Sequence, residues 1–204
     1  MADLGTATIQ CTLGAGYIDE GELMNVGAIV DRSVAKVKLP QSLVAIGDYA
    51  FYKCEALVSV EMPQTLKSIE YNAFYGCKNL AITALPPEMM GIDSAAFSNC
   101  EKIAITKIPA KMNAIGSAAF YKCNSIERLE FASPTLIIDS SAFNNCSALS
   151  IVTFTAKPRR ISTCFSNSYN LRTINVPWAE GEVSGAPWGA TNATINYNYT
   201  GGEA

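Results

Sequence analysis

The sequence predicts an α/β solenoid in which a 23-residue unit, a parallel strand followed by a short helical or 3₁₀ turn, winds repeatedly into one superhelical stack. Three observations carry this prediction. First, five residue columns recur at a constant step of 23: Phe51, Phe74, Phe97, Phe120 and Phe143; Cys54, Cys77, Cys100, Cys123 and Cys146; Ala50, Ala73, Ala96, Ala119 and Ala142; Ile46, Ile69, Ile92, Ile115 and Ile138; and the mixed apolar set Leu39, Met62, Leu85, Ile108 and Phe131. A fixed period in this range is the mark of a stacked repeat. Second, each unit opens on a short stretch of alternating apolar residues that ends at Pro40, Pro63, Pro86 or Pro109, the pattern of a strand and its terminator. Third, a unit of this length buries too little surface to offset its own ordering entropy, so the units are stable only when stacked.

From the N-terminus, Ala7, Ile9, Cys11 and Leu13 alternate with Thr6, Thr8, Gln10 and Thr12, which predicts a half-buried strand, and Gly14-Ala15-Gly16 reads as a turn. Residues 20–30, EGELMNVGAIV, read as a short helix, and residues 1–33 together as an N-terminal cap, although the remnant of a preceding domain would read the same. The solenoid follows over 34–176. Its strands start near Val34, Val58, Ala81, Ala104, Glu127, Ser150 and Arg172, which at ~4.8 Å per strand gives a parallel sheet about 30 Å long. Segments such as Asp48-Tyr49-Ala50-Phe51 are too short for an independent helix and read as one helical or 3₁₀ turn that lays Phe and Cys inward. The sixth unit is one residue shorter, with Phe165 in the Phe place, Cys164 in the Ala column and Ser168 in place of Cys, as terminal repeats decay. Residues 177–204 read as a C-terminal cap and tail, in which Trp178 and Trp188 close the apolar end and Ile195, Tyr197 and Tyr199 alternate with Asn196 and Asn198 as a strand would.

The unit VAKVKLPQSLVAIGDYAFYKCEAL, with its IGDYAFYKCEAL and IGSAAFYKCNSI segments, resembles the BspA-like leucine-rich repeat family over residues 34 to about 176. The resemblance implies a leucine-rich repeat right-handed superhelix and a history as surface-exposed binding proteins of bacteria and some protists. It implies no catalytic residues. The tail segments VPWAEGEV and APWGATNATINYNY resemble the ends of leucine-rich repeat proteins from phage and prophage tail regions of gut Firmicutes.

Composition narrows the chemistry. With 204 residues, 49% hydrophobic and 16% charged, the chain suits a packed domain. Fifteen basic against eighteen acidic residues leave a net charge of −3, without the basic field that draws in nucleic acid or an anionic membrane. No run of eighteen apolar residues predicts membrane insertion, and the opening MADLGTATIQ lacks the pattern of a secretion signal. Histidine is absent, which removes the usual general base, the nucleophile–His arrangements and imidazole metal ligation. The seven cysteines include no CxxC and fall one per coil, so they read as small buried free thiols, not a metal site or disulfide frame. Asp19 and Glu20 have no partner to separate their pKa values, and Gly14-Ala15-Gly16 is no phosphate loop. The chain therefore reads as a non-enzyme with no cofactor and no metal.

Two surfaces are candidates for ligand binding. Tyr52, Tyr75 and Tyr121 follow the Phe column directly, interrupted by Ser98 and Asn144, and form an outward strip that suits sugar or protein. On the sheet, Val37, Leu39, Val60, Met62, Leu129, Phe131, Val152 and Phe154 face inward; the same parity places Ile82, Ile105 and Ile151 outside and Thr83 and Thr106 inside. Either the strands bulge locally, or an apolar patch faces solvent inside a polar rim of Lys36, Lys38, Glu61, Lys107, Arg128 and Glu130. The candidate contact residues are Ile82, Ile105, Ile151, Lys107, Arg128, Tyr52, Tyr75 and Tyr121. The expected function is non-catalytic recognition of a protein or glycan at a bacterial cell surface. The alternative is a structural or receptor-binding component of a phage tail, placed in the virion and assembled as a homo-oligomer through the C-terminal region.

Overall fold

A computed structural model describes residues 17–19, 22–24 and 34–201, the first two segments as backbone. The strands in chain order are β1 (Tyr17–Asp19), β2 (Glu22–Met24), β3 (Lys36–Lys38), β4 (Ala45–Ile46), β5 (Ser59–Glu61), β6 (Ser68–Ile69), β7 (Gly91–Ile92), β8 (Lys107–Ile108), β9 (Ala114–Ile115), β10 (Arg128–Phe131), β11 (Ile137–Ile138), β12 (Ile151–Phe154), β13 (Arg160–Ile161), β14 (Thr173–Asn175) and β15 (Thr194–Asn196). They form a parallel solenoid with two sheets. The first sheet runs β1-β2-β4-β6-β7-β9-β11-β13, parallel throughout except for the β1–β2 hairpin. Its register stacks Ile46, Ile69, Ile92, Ile115, Ile138 and Ile161 one above the next, all buried. The second sheet is divided into a β3–β5 pair and the run β8-β10-β12-β14-β15.

The helix expected over 20–30 is corrected at 22–24. Leu23 lies opposite Ile46 in the strand pairing, 23 positions away, so this segment is templated by the next coil as strand β2. The predicted strand at Ala7–Leu13 and turn at Gly14–Gly16 lie outside the described residues.

The helical or 3₁₀ turns are likewise corrected, since no helix occurs among the described residues. Tyr49, Asn72, Ala95, Ala118 and Ser141 adopt φ of 54–60°, and so do Lys53, Asn99, Lys122 and Asn145 with φ of 56–60°. Left-handed residues at two places per coil interrupt any right-handed helix. The compensation is hydrogen bonding between coils: Tyr49, Phe51 and Lys53 donate their N–H groups to the carbonyls of Tyr71, Ala73 and Tyr75 at 2.9, 2.6 and 2.7 Å. Every second N–H thus finds its partner in the neighbouring coil instead of in its own turn.

The core is a set of files along the stack axis. Phe51, Phe74, Phe97, Phe120 and Phe143 stack with centroids 4.8, 5.2, 5.3 and 5.1 Å apart, and Phe165 extends the file at 5.9 Å. The cysteine column does more than fill space. Cys77, Cys100, Cys123 and Cys146 donate Sγ–H to the carbonyls of Phe51, Phe74, Phe97 and Phe120 at 3.0–3.2 Å. Ser168 keeps that bond where Cys is absent, its hydroxyl lying 2.8 Å from the Phe143 carbonyl. A small side-chain donor thus caps the preceding Phe carbonyl in each of these five coils. Cys164 serves as Ala142 does in the coil before, accepting the N–H of Phe143 at 2.9 Å.

At the C-terminal end Trp178 and Trp188 are buried and meet Phe154 at 5.5 and 6.0 Å. Trp188 Nε1–H donates to the Ser184 carbonyl at 2.9 Å. Of the alternation predicted at 195–199, only Ile195 and Asn196 fall in a strand, β15, which is parallel to β14 and the last of its sheet; residues 197 and 198 turn, with Asn198 at φ 55°.

Candidate recognition surfaces

The outer face of the second sheet resolves the parity conflict in favour of a local bulge. Ile82 is 6% exposed and Ile105 fully buried, while Thr83 and Thr106 are exposed. Both isoleucines are therefore removed from the set of ligand-contacting residues. In these two coils Thr83 and Ala84, and again Thr106 and Lys107, are successive exposed residues. A period-2 strand cannot do this. Burying an Ile side chain is worth roughly 1.5–3 kcal/mol, against about 0.5–1.5 kcal/mol for a ladder hydrogen bond, so burial wins and the ladder yields. The strand expected near Ala81 does not form, and the one expected near Ala104 shrinks to β8.

The remaining sheet-face candidates sit in the C-terminal run. Arg128, Ile151 and Thr173 lie side by side in register. Arg128 is exposed and Ile151 half-buried. Lys107 is exposed but held by Glu130 at 2.7 Å, as Lys38 is by Glu61 at 3.0 Å. Beyond them the face is polar: the Asn175 amide donates to Thr153 Oγ1 at 3.2 Å and the Asn196 amide to Asn175 Oδ1 at 2.8 Å.

On the turn face the structure brings together more tyrosines than the column reading found. Tyr52 and Tyr75 stack at 5.2 Å, and Tyr49 sets its ring edge-on to both Tyr52 (5.4 Å) and Tyr71 (5.3 Å). Tyr49 and Tyr71 are 38% and 41% exposed. Tyr49 and Tyr71 belong to columns beside that of Tyr52 and Tyr75, and their only signal in the sequence is Tyr at 49, 52, 71 and 75, offset by nearly one period. None of the four hydroxyls has a hydrogen-bond partner among the described residues, whereas Tyr169 OH donates to Asn167. Lys53 Nζ lies 5.2 Å from the Tyr52 ring centroid. Tyr121 stands apart from this cluster, since Ser98 occupies the coil between it and Tyr75; its neighbour is Lys122, 5.4 Å from the ring.

Ionisation offers little chemistry. Burial pushes the Cys100, Cys123 and Cys164 thiols well up, and that of Cys146 up to about 12. Such thiols are poor nucleophiles. Glu182 is lowered by hydrogen bonds from Lys157 and the Ala179 N–H, an exposed local pair within the cap. Among the described residues no group of three His, Cys, Asp or Glu side chains is placed to hold a metal ion. No helix among them is long and apolar enough to cross a membrane.

A parallel stack of 23-residue coils, with conserved geometry inside and variable side chains outside, defines a repeat protein of the leucine-rich class. The chain belongs to the family of the BspA type leucine rich repeat region, which matches over residues 28–150 and 84–183 in six copies. Solved structures agree. The leucine rich repeat protein TpLRR of T. pallidum is 24% identical with a TM-score of 0.63, over 79% of this chain and 80% of that one. A leucine rich cell surface protein from Faecalibacterium prausnitzii is 20% identical with a TM-score of 0.54, over 76% and 58%. The pneumococcal vaccine antigen PcpA is 15% identical with a TM-score of 0.61, over 87% of this chain and 45% of its own. No curated protein matches the sequence.

Proposed function

We propose that this chain is a non-catalytic recognition module that binds a protein or glycan partner at a bacterial cell surface. Leucine-rich repeat proteins of this family are typically recognition proteins without catalytic residues, and two of the structural neighbours are described as a cell surface protein and a vaccine antigen. The observation that carries the reading is the four-tyrosine cluster, in which Tyr49 and Tyr71 are exposed, Tyr52 and Tyr75 are half-buried, and the hydroxyls have no hydrogen-bond partner among the described residues. Aromatic rings with free hydroxyls combine apolar area with hydrogen bonding at low entropy cost. A stiff scaffold lowers the ordering cost of association further.

A glycan array and a panel of purified bacterial surface proteins test this. Tyr71→Ala with Tyr75→Ala should weaken whichever probe binds by about tenfold or more, the equivalent of ~1.4 kcal/mol, while Arg128→Glu leaves it unchanged. The opposite pattern would move the site to the sheet face through Arg128, Lys107 and Ile151. Absence of binding by any probe would reject the reading.

A phage or prophage tail component is the second reading. What favours it is β15, which ends its sheet with half-buried Ile195 and Tyr197 beside it. That arrangement invites self-assembly at the C-terminal end. Light scattering that finds only monomer at micromolar concentration would count against it.

A further inference from the structure

The break in the second sheet is a separate surface with its own chemistry. Ser59 N–H donates to the Ala35 carbonyl (3.3 Å) and Leu39 N–H to the Glu61 carbonyl (3.1 Å), so Ser59 and Glu61 direct their peptide groups toward β3. Peptide groups alternate in direction along a strand. Val60 and Met62 therefore direct theirs to the opposite edge of β5, toward residues 82–85. Those residues form no strand. Along 58–62 against 81–85 a single backbone bond is made, Ala81 N–H to the Val58 carbonyl at 2.9 Å. Among the described residues, the N–H groups of Thr83, Ala84 and Leu85 have no backbone partner either. On the far side Glu130 N–H donates to the Thr106 carbonyl (2.9 Å), which turns the Lys107 peptide toward the gap.

A groove of about 380 Å³ opens at this break, lined by Val60, Met62, Gln64, Leu85, Pro86 and Pro87 among others. This is within the range of ligand pockets, ~300–1,000 Å³. Val60, Met62 and Leu85 are half-buried and form its apolar walls. Glu61, between Val60 and Met62, is compensated by Lys38, and in the next run Lys107 is compensated by Glu130. The groove thus presents a row of unpaired N–H and C=O dipoles beside apolar side chains, in a neutral surround. The electrostatic complement of that row is another peptide main chain. An ion would find no excess charge, and a sugar would leave the apolar walls unmatched.

We propose that the break between β5 and β8 is a receptor groove for an extended, uncharged peptide segment of a protein partner, which pairs with the free edge of β5 and sets apolar side chains against Met62 and Leu85. This goes beyond the tyrosine cluster and does not depend on it. From Val60 to Met62, where Pro63 ends the edge, there is room for about three extended residues.

The test is selection of a displayed seven-residue peptide library on the full chain, followed by affinity measurement with the enriched synthetic peptides. Two variants are compared: Met62→Glu, which puts charge into the groove, and the triple variant Ile82→Ser, Thr83→Val, Ala84→Glu, which copies the parity of Ser59-Val60-Glu61 and closes the sheet. Enriched peptides of apolar, uncharged character should bind Met62→Glu at least tenfold more weakly and the closed triple variant not at all. Tyr71→Ala with Tyr75→Ala should leave them unaffected, which separates this site from the tyrosine cluster. Hydrogen exchange supplies a readout if the triple variant does not fold: in the wild type the Val60 and Met62 amides should exchange faster than that of Glu61, and slow when peptide is bound. No enrichment over a selection on unrelated protein, equal binding to Met62→Glu, or slow Val60 and Met62 amides without peptide would each overturn the proposal.

Discussion

Phe97→Ala tests the collective nature of the stack most directly. Phe97 is fully buried, and its ring lies between those of Phe74 at 5.2 Å and Phe120 at 5.3 Å. Truncating a buried Phe costs about 3–5 kcal/mol through lost transfer energy and the cavity left behind. Here the cavity cannot collapse easily, because hydrogen bonds from Phe74 N–H to the Ala96 carbonyl and from Phe97 N–H to the Ala119 carbonyl, both 2.8 Å, hold the coils at fixed spacing. The upper half of that range is therefore expected. Phe51→Ala is the internal control: Phe51 is equally buried, and among the described residues its ring stacks on one neighbour, Phe74, at 4.8 Å. One aromatic contact fewer should make it milder by roughly 0.5–1.5 kcal/mol. Urea unfolding followed by far-ultraviolet circular dichroism and by tryptophan fluorescence measures both. Both tryptophans lie in the C-terminal cap, so coincident transitions would also establish that the stack unfolds as one unit. A loss below about 2 kcal/mol for Phe97→Ala, or a loss no larger than that of Phe51→Ala, would refute the reasoning.

Two further predictions concern the cap and the thiols. Trp188→Ala should lower stability by about 3–5 kcal/mol, since Trp188 is 1% exposed and covers Phe154 at the end of the stack; an unchanged urea midpoint would show that the cap is dispensable. The buried thiols make stability depend on pH in a definite direction. Burial raises Cys146 from 9.0 to about 12 and raises Cys123 as well, so the unfolded chain releases these protons first. Their contribution is fully present below the unfolded value and is lost as pH climbs from 9.0 toward about 12. The urea midpoint should fall across that interval, and Cys123→Ser with Cys146→Ser should flatten the fall; an identical slope would assign it to other groups.

Legibility in the sequence followed the number of times an environment was repeated. The Phe, Cys, Ala and Ile columns were readable because every coil imposes the same surroundings on the same place, so five positions report one environment. The first sheet was not readable as strands, because two-residue segments such as Ala45–Ile46 are too short to show alternation. The turns depart from the helical expectation because the left-handed φ at Tyr49 and Lys53 accompanies bonds to the next coil, which local preference does not encode.

By itself, then, the chain's amino-acid order determined the period, the buried columns, the solenoid and the family, since burial at a constant step admits one stacked solution. Only the tertiary structure decided which way Ile82 and Ile105 turn, where the second sheet opens, and which tyrosines meet. Each of those outcomes is a competition between neighbouring coils, side-chain burial against ladder bonding in one case and ring contact across columns in the other. Such competitions have no answer within a single unit.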